Sequence, residues 1–153
     1  MISPRGTDPN AGPHALTFGH PDPPRLRCDT RQMYLAVAHY YRIIEDASVA
    51  GLQWKVATAG YSYILHGDEG KEMFAYQWHP QGPSPVTTPH VHLGPALGVA
   101  DPNLPKVHVP TARVSLERVI RLAIELGAQP IKQDWDAILT QTESAFVQWR
   151  SWG

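Results

Sequence analysis

The chain has 153 residues, a formal net charge of −1 at pH 7 and a hydrophobic content of 42%. This length fits one domain with a substantial core, and no apolar run approaches the roughly 20 residues of a membrane-spanning helix. The near-zero charge gives no overall basic surface for duplex nucleic acid. A single cysteine, Cys28, excludes an internal disulfide and a thiolate-rich metal site. Because the first ten residues also lack the apolar region of a signal peptide, we expect a cytoplasmic globular protein.

The beginning of the chain is predicted to be a flexible tail over residues 1–28, followed by one domain over residues 29–153. The first 24 residues contain six of the fifteen prolines and three of the twelve glycines. Such a composition buries too little apolar surface to offset the entropy of ordering. We therefore expect His14 and His20 to be solvated and to lie outside any site.

The next part of the chain is predicted to form strands. Residues 32–46 fit both a helical and an alternating pattern, but their content of Tyr, Val and Ile favours a long strand. His39, within it, is expected to be a half-buried structural residue. Residues 53–66 and 72–79 alternate as the two strands of a hairpin, and Gly60 marks a bulge or bend. Short strands are predicted near residues 90–93 and 106–109.

The C-terminal part changes to a helical period. One apolar stripe follows Ser115, a natural N-cap, and stops at Gly127. A second stripe follows Asp134 and runs to Trp149. Strands followed by helices, without alternation, indicate an α+β fold. We predict an antiparallel sheet of about five to six strands, followed by two C-terminal helices packed on one face.

A proline-rich stretch between residues 77 and 94 carries the candidate site. His79 lies at one end of it, and His90 and His92 lie at the other. Residues two apart on a strand project from the same face, so His90 and His92 should point together. The four prolines between them and His79 cannot donate to a strand ladder, and they indicate an ordered, extended loop. This loop is expected to bring the three histidines together.

Three interpretations of these histidines follow from the residues. They could coordinate zinc or a similar ion that activates water, with His66 or His108 as an additional ligand or supporting contact. Two of them could instead act as general base and general acid on a phosphodiester, while Arg113 stabilises the developing negative charge. In the third interpretation they are structural residues of a non-catalytic binding domain.

Arg113 and a set of aromatic residues add to the second interpretation. Arg113 directly precedes the helix capped by Ser115, whose first amides would point toward an anion. The aromatic side chains could stack on unpaired bases or simply pack in the sheet; they are Tyr61, Tyr63, Tyr76 and Trp78. The chain contains no P-loop, dinucleotide-binding fingerprint, Gly-x-Ser-x-Gly or His-Glu-x-x-His motif, which disfavours the chemistries they support.

A series of short motifs lies between residues 53 and 126: Tyr61-Ser-Tyr63, a glycine-containing hairpin turn, Tyr76-Gln-Trp-His79-Pro80, a variable loop, Pro89-His90-Val-His92 and a final helical region. Their order resembles the TumE family of bacterial toxin–antitoxin toxins. It also resembles uncharacterised actinobacterial proteins that carry Trp-His-Pro and then Pro-His-x-His. Where the TumE pattern has Arg-x-Asp, this chain has Ala75-Tyr76-Gln77. The resemblance implies a small α+β toxin-like fold, a histidine-centred site acting on RNA, and an antitoxin-like protein partner.

The leading hypothesis from the sequence is an RNA-directed, toxin-like endoribonuclease that needs no cofactor. Its predicted catalytic residues are His79, His90, His92 and Arg113. One alternative is a non-catalytic binding domain. The other is a zinc-dependent hydrolase in which His79, His90 and His92 are the metal ligands.

Overall fold

The computed structural model describes residues 7–46, 54–98, 103, 107–149 and 151–152. The strands are β1 (His14–Phe18), β2 (Arg25–Leu26), β3 (Met33–Glu45), β4 (Trp54–His66), β5 (Glu72–Trp78), β6 (His90–Leu93), β7 (Val109–Pro110) and β8 (Ser151–Trp152). The helices are α1 (Leu116–Glu125) and α2 (Trp135–Trp149), and short 3₁₀ turns cover Asp68–Gly70 and Pro95–Leu97.

These strands form one sheet in the order β1-β3-β4-β5-β6-β7, and neighbours along this path are antiparallel. The short strand β2 also pairs with β3, and β8 runs parallel to β4. The predicted α+β fold, an antiparallel sheet followed by two C-terminal helices, is therefore confirmed.

The two longest strands, β3 and β4, form the centre of the sheet. The segment over residues 32–46, whose sequence fits both a helical and an alternating pattern, forms the strand β3. This strand pairs with β4 from Tyr34 opposite His66 to Glu45 opposite Trp54. The register shifts between Tyr40 and Tyr41, so that Ala59 is the additional residue of a bulge. The bulge lies next to Gly60, where the sequence predicts one.

One face of this sheet carries the hydrophobic core. Its fully or almost fully buried side chains are Leu35, Val37, Tyr61, Tyr63, Leu65 and Trp78, and they pack against Val119 and Ala123 of α1. The rings of Tyr61 and Tyr63 stack with their centroids 4.8 Å apart. Because alternate residues point to opposite faces, these side chains of the central strands all lie on the side of α1.

Both helices begin where the sequence predicts. The Ser115 hydroxyl accepts a hydrogen bond from the Arg118 amide at 3.3 Å and donates one to Glu143 of α2 at 2.8 Å. This residue therefore caps α1 and joins it to α2. Helix α1 stops just before Gly127, which adopts a φ of +110°. The Phe146 ring lies 6.0 Å from that of His39, so α2 lies over the same sheet face as α1.

The predicted flexible tail is wrong for residues 14–18 and 25–26, which form β1 and β2. Residues 14–18 contain no proline, and all five pair with β3 between Val37 and Tyr41. The edge of β3 offers unpaired backbone groups that a neighbouring strand can satisfy. His14 is also not solvated: it is buried, and its Nε2 lies 2.8 Å from the Asp8 carbonyl oxygen. The first six residues of this predicted tail lie outside the described residues.

Strand β7 is shifted from its predicted place. The sequence predicts a strand over residues 106–109, whereas the paired residues are Val109 and Pro110. Lys106 lies outside the described residues. The shift follows from pairing with β6, which sets Val109 opposite Val91 and Pro110 opposite His90.

Replacing Gly94 with Ala should destabilise the protein, because a Cβ at this position would overlap the carbonyl oxygen of Glu72. The Gly94 amide donates to the Met73 carbonyl at 2.7 Å, so the chain cannot move aside without disturbing the end of β6. We expect the free energy of unfolding in urea to fall by about 1–3 kcal/mol. Gly12→Ala, where an added Cβ would meet nothing within 4 Å, is the matched control. Equal stability of the two variants would contradict this assignment.

The half-buried His39 should make the protein less stable in mild acid. Burial lowers its pKa from 6.5 to about 4, so the unfolded chain binds this proton more readily. Stability present above pH 6.5 is lost as the pH falls toward 4, and the loss attributable to His39 reaches about 2 kcal/mol at pH 5. Urea unfolding at pH 7.5 and 5, with His39→Gln as the comparison, measures it. An NMR titration that places the His39 pKa above 6 would refute the prediction.

Candidate functional site

Strands β6 and β7 place three histidines on the sheet face that the helices do not cover. His90 pairs with Pro110 and Val91 with Val109. One further step in this register sets His92 opposite His108. Because alternate residues share a face, His90, His92 and His108 all project from one side. We call this side, which includes Tyr40, Ser62, Gln77, His90 and His92, the helix-free face.

The three imidazoles form a compact group, the histidine cluster (His90, His92 and His108). Their ring centroids lie 5.0 Å apart for His90 and His92, 4.8 Å for His90 and His108, and 4.4 Å for His92 and His108. One ring nitrogen of each lies within 4.8 Å of the other two. His90 is buried, His92 is half-buried and His108 is exposed. The cluster thus opens to solvent on the side of His108.

The backbone fixes the orientation of the His90 ring. Its Nδ1 lies 2.8 Å from the Thr88 carbonyl oxygen, and a carbonyl oxygen can only accept a hydrogen bond. The hydrogen of neutral His90 therefore sits on Nδ1, and Nε2 keeps its lone pair. Metal-ligating histidines usually have this supporting bond, because it fixes both the tautomer and the ring orientation.

The spacing of the cluster fits the coordination of one metal ion. A tetrahedral zinc ion with Zn–N bonds of about 2.0–2.1 Å holds its nitrogen ligands about 3.3 Å apart. The nitrogens here lie within 4.8 Å of one another, so roughly 1 Å of side-chain movement would close the site. Imidazole ligands suit zinc and other divalent transition metals. Without an ion, the same edge contacts would let one imidazole donate a hydrogen bond to another.

His79, the first of the predicted site residues, lies beside the cluster and not in it. It directly follows β5, two residues after Gln77, the cross-strand partner of His90. Its ring centroid is 6.3 Å from that of Tyr40. Burial and the nearby charge of His90 lower the pKa of His79. The structure therefore brings His90 and His92 together with His108, while His79 faces a separate pocket.

Arg113 lies on the other side of the sheet from the histidine cluster. Its guanidinium carbon is 4.2 Å from the centroid of the Trp78 ring. Trp78 is buried in the core and pairs with Tyr61, whose hydroxyl accepts the Val114 amide at 3.0 Å. The start of α1 and Arg113 therefore belong to the helix-covered face. The structure does not bring Arg113 together with the histidines.

Two further residues considered from the sequence lie outside the cluster. His66 Nδ1 is 3.0 Å from the Gly70 carbonyl oxygen in the β4–β5 turn. Burial raises the pKa of the Cys28 thiol, although Arg25 and Arg31 act in the opposite direction, so this thiol is a poor nucleophile.

The sequence signal for the third histidine was present but incomplete. His108 lies in a Val-His-Val segment, and a strand there could pair with His-Val-His. Only the register of the pairing decides that His108 faces the other two histidines. That register depends on residues 94–107. Their sequence predicts turns but does not show which residues of the two strands lie opposite each other.

Within the part of the chain that the structure describes, no helix is long and apolar enough to cross a membrane. No protein-family model, curated protein or solved structure matches this chain.

Proposed function

We propose that the protein is a metal-dependent hydrolase whose histidine cluster binds one zinc or similar divalent ion. The observation that carries this proposal is the convergence of three imidazole nitrogens within 4.8 Å. The orientation of His90 by the Thr88 carbonyl supports it. Three protein ligands with one position left for water are the usual arrangement of catalytic zinc sites.

The chemistry of such a site is hydrolysis at an electrophilic centre. The bound ion would lower the pKa of its water to about 7 and so supply a hydroxide near neutral pH. His90, His92 and His108 would hold the ion, and the site would then supply a nucleophile able to cleave a phosphate or acyl ester. The exposed His108 and the helix-free face leave room for a substrate to approach from solvent.

A metal-independent RNA endoribonuclease is the second candidate, and the edge contact of His90 with His108 favours it. One neutral and one protonated imidazole at this distance could serve as general base and general acid on a phosphodiester. The TumE-like motif order supports RNA as the substrate and an antitoxin-like protein as partner. Arg113 would then need a role other than contact with the reacting phosphate, because it lies on the opposite sheet face.

Metal analysis separates these candidates and identifies the ligands. We expect tag-free protein to carry about one equivalent of zinc, and its melting temperature to fall when a chelator removes the ion. His108→Ala should lose the metal as His92→Ala does, because each removes one of three ligands. His79→Ala should keep it, since His79 faces Tyr40 instead.

Two outcomes would contradict this ligand assignment. Loss of the metal in His79→Ala but not in His108→Ala would restore His79, His90 and His92 as the ligands. No bound metal, together with a melting temperature that chelator does not change, would remove the metal proposal and leave acid–base catalysis or a non-catalytic binding domain.

An activity assay tests the reaction itself. We expect the zinc-loaded protein to hydrolyse phosphodiesters of single-stranded RNA, and chelation to abolish the activity until zinc returns. His92→Ala should reduce kcat/KM by at least about 100-fold, because the hydroxide is lost. The circular dichroism spectrum of His92→Ala would show whether this variant is folded. Undiminished cleavage after chelation would favour the metal-independent mechanism, and no cleavage of RNA or of simple phosphate and acyl esters would favour a binding domain.

A further inference from the structure

A small pocket lies on the helix-free face of the sheet, next to the histidine cluster. It has a volume of about 150 Å³ and is lined by Tyr40, Arg42, Gly60, His79 and Gln81, together with neighbouring small residues and prolines. We call it the anion pocket. It is formed where β3, β4 and the segment after β5 meet, beside the bulge at Ala59.

The pocket is rich in hydrogen-bond donors and contains no carboxylate among its lining residues. The Arg42 guanidinium donates to the Gln81 side-chain oxygen at 3.1 Å, which holds it at the rim. An arginine has five N–H donors, and this bond takes one of them. The Tyr40 hydroxyl and the His79 ring can also donate. This set suits an oxyanion, since arginine favours bidentate contact with phosphate or carboxylate.

The anion pocket and the histidine cluster are close enough for one substrate to reach both. His90 pairs with Gln77, and His79 is two residues further along. A strand spacing of about 4.8 Å and a rise of about 3.4 Å per residue place the Cα atoms of His79 and His90 about 8 Å apart. Both positions belong to the helix-free face, and no described helix lies between them.

From these observations the geometry points to a phosphate-binding subsite in the anion pocket, which holds the phosphate adjacent to the one that is hydrolysed. This inference rests on the proposed hydrolase function and names its substrate class: a single-stranded phosphodiester chain. A volume of about 150 Å³ corresponds to roughly five water molecules, enough for a phosphate group but too small for a complete nucleotide. The sugar and base would therefore lie outside the pocket, on the helix-free face.

Binding of inorganic phosphate tests the subsite without any catalysis. We expect saturable binding by isothermal titration calorimetry at low salt and pH 7.5, with zinc-free protein. Arg42→Gln should weaken it at least tenfold. Arg31→Gln, which removes one charge from an exposed loop far from the pocket, is the matched control and should bind as wild type does. His92→Ala should also bind as wild type, because the cluster is not part of the pocket.

Two results would overturn the subsite. One is the absence of saturable phosphate binding in the wild type. The other is binding that survives Arg42→Gln but is lost in His92→Ala, which would place the phosphate at the histidine cluster. Neither result depends on whether the protein carries zinc, so failure of the subsite is distinguishable from failure of the proposed hydrolase.

Substrate length then tests the role of the subsite in the reaction. A dinucleotide that carries an additional phosphate next to the scissile bond should be cleaved with a kcat/KM at least tenfold higher than the same dinucleotide without that phosphate. Arg42→Gln should remove this advantage, whereas Arg31→Gln should keep it. An advantage of equal size in Arg42→Gln and wild type would refute the assignment. A larger advantage for a flanking carboxylate than for a phosphate would also refute it.

Discussion

The pairing of β3 with β4 is the constraint on which the rest of the structure depends. Each strand has thirteen residues, and their register decides which side chains face α1 and which face away. The same alternation passes from β4 to β5, with one register shift between Leu65 and His66, and from β5 to β6. As a result, Tyr61 and Trp78 enter the core while Gln77 and His90 point to the opposite side. The division between core and candidate site is thus set at the centre of the sheet.

The two faces carry different chemistry for this reason. The core face is largely aromatic and aliphatic, and burial lowers the pKa of His39 on this face, where its ring lies beside the Tyr63 hydroxyl. The opposite face carries small side chains such as Ala36, Ala38 and Ala75, and three imidazoles at its edge. These alanines are almost fully buried, whereas His92 is half-buried and His108 is exposed at the edge of this face. The fold therefore separates a histidine that serves stability from those available for binding.

Much of the fold could be predicted because its signals are local. Alternation identified β4, β5 and β6, the Ser115 cap identified the start of α1, and the pair His90 and His92 followed from the two-residue repeat of a strand. What failed was non-local. The strand β1 has a short and unremarkable sequence, and it forms because β3 has an unpaired edge. The choice of His108 instead of His79 as neighbour of the pair depends on the register between β6 and β7, which no local pattern encodes.

The position of Arg113 could not be predicted either, because it depends on which face of the sheet the helices cover. Its place before α1 was evident from the sequence. The side on which the helices pack was not, because both faces of β5 contain aromatic or polar residues. Once α1 packs on the side of Tyr61 and Trp78, Arg113 is drawn over the Trp78 ring. A guanidinium placed there stabilises the packing of the helix start on the sheet.

The position of His92 opposite His108 also has a consequence for the folding of this part of the chain. Fifteen residues separate these two histidines in the sequence, and an ion bound to both would cross-link the two ends of this segment. Closing a loop of this size restricts the unfolded chain by about 3 kcal/mol when the closure is a disulfide. Coordination would have the same topological effect, but reversibly and only while metal is present. While the ion is bound, it would keep β6 and β7 paired at this edge of the sheet, in addition to any chemistry it performs there.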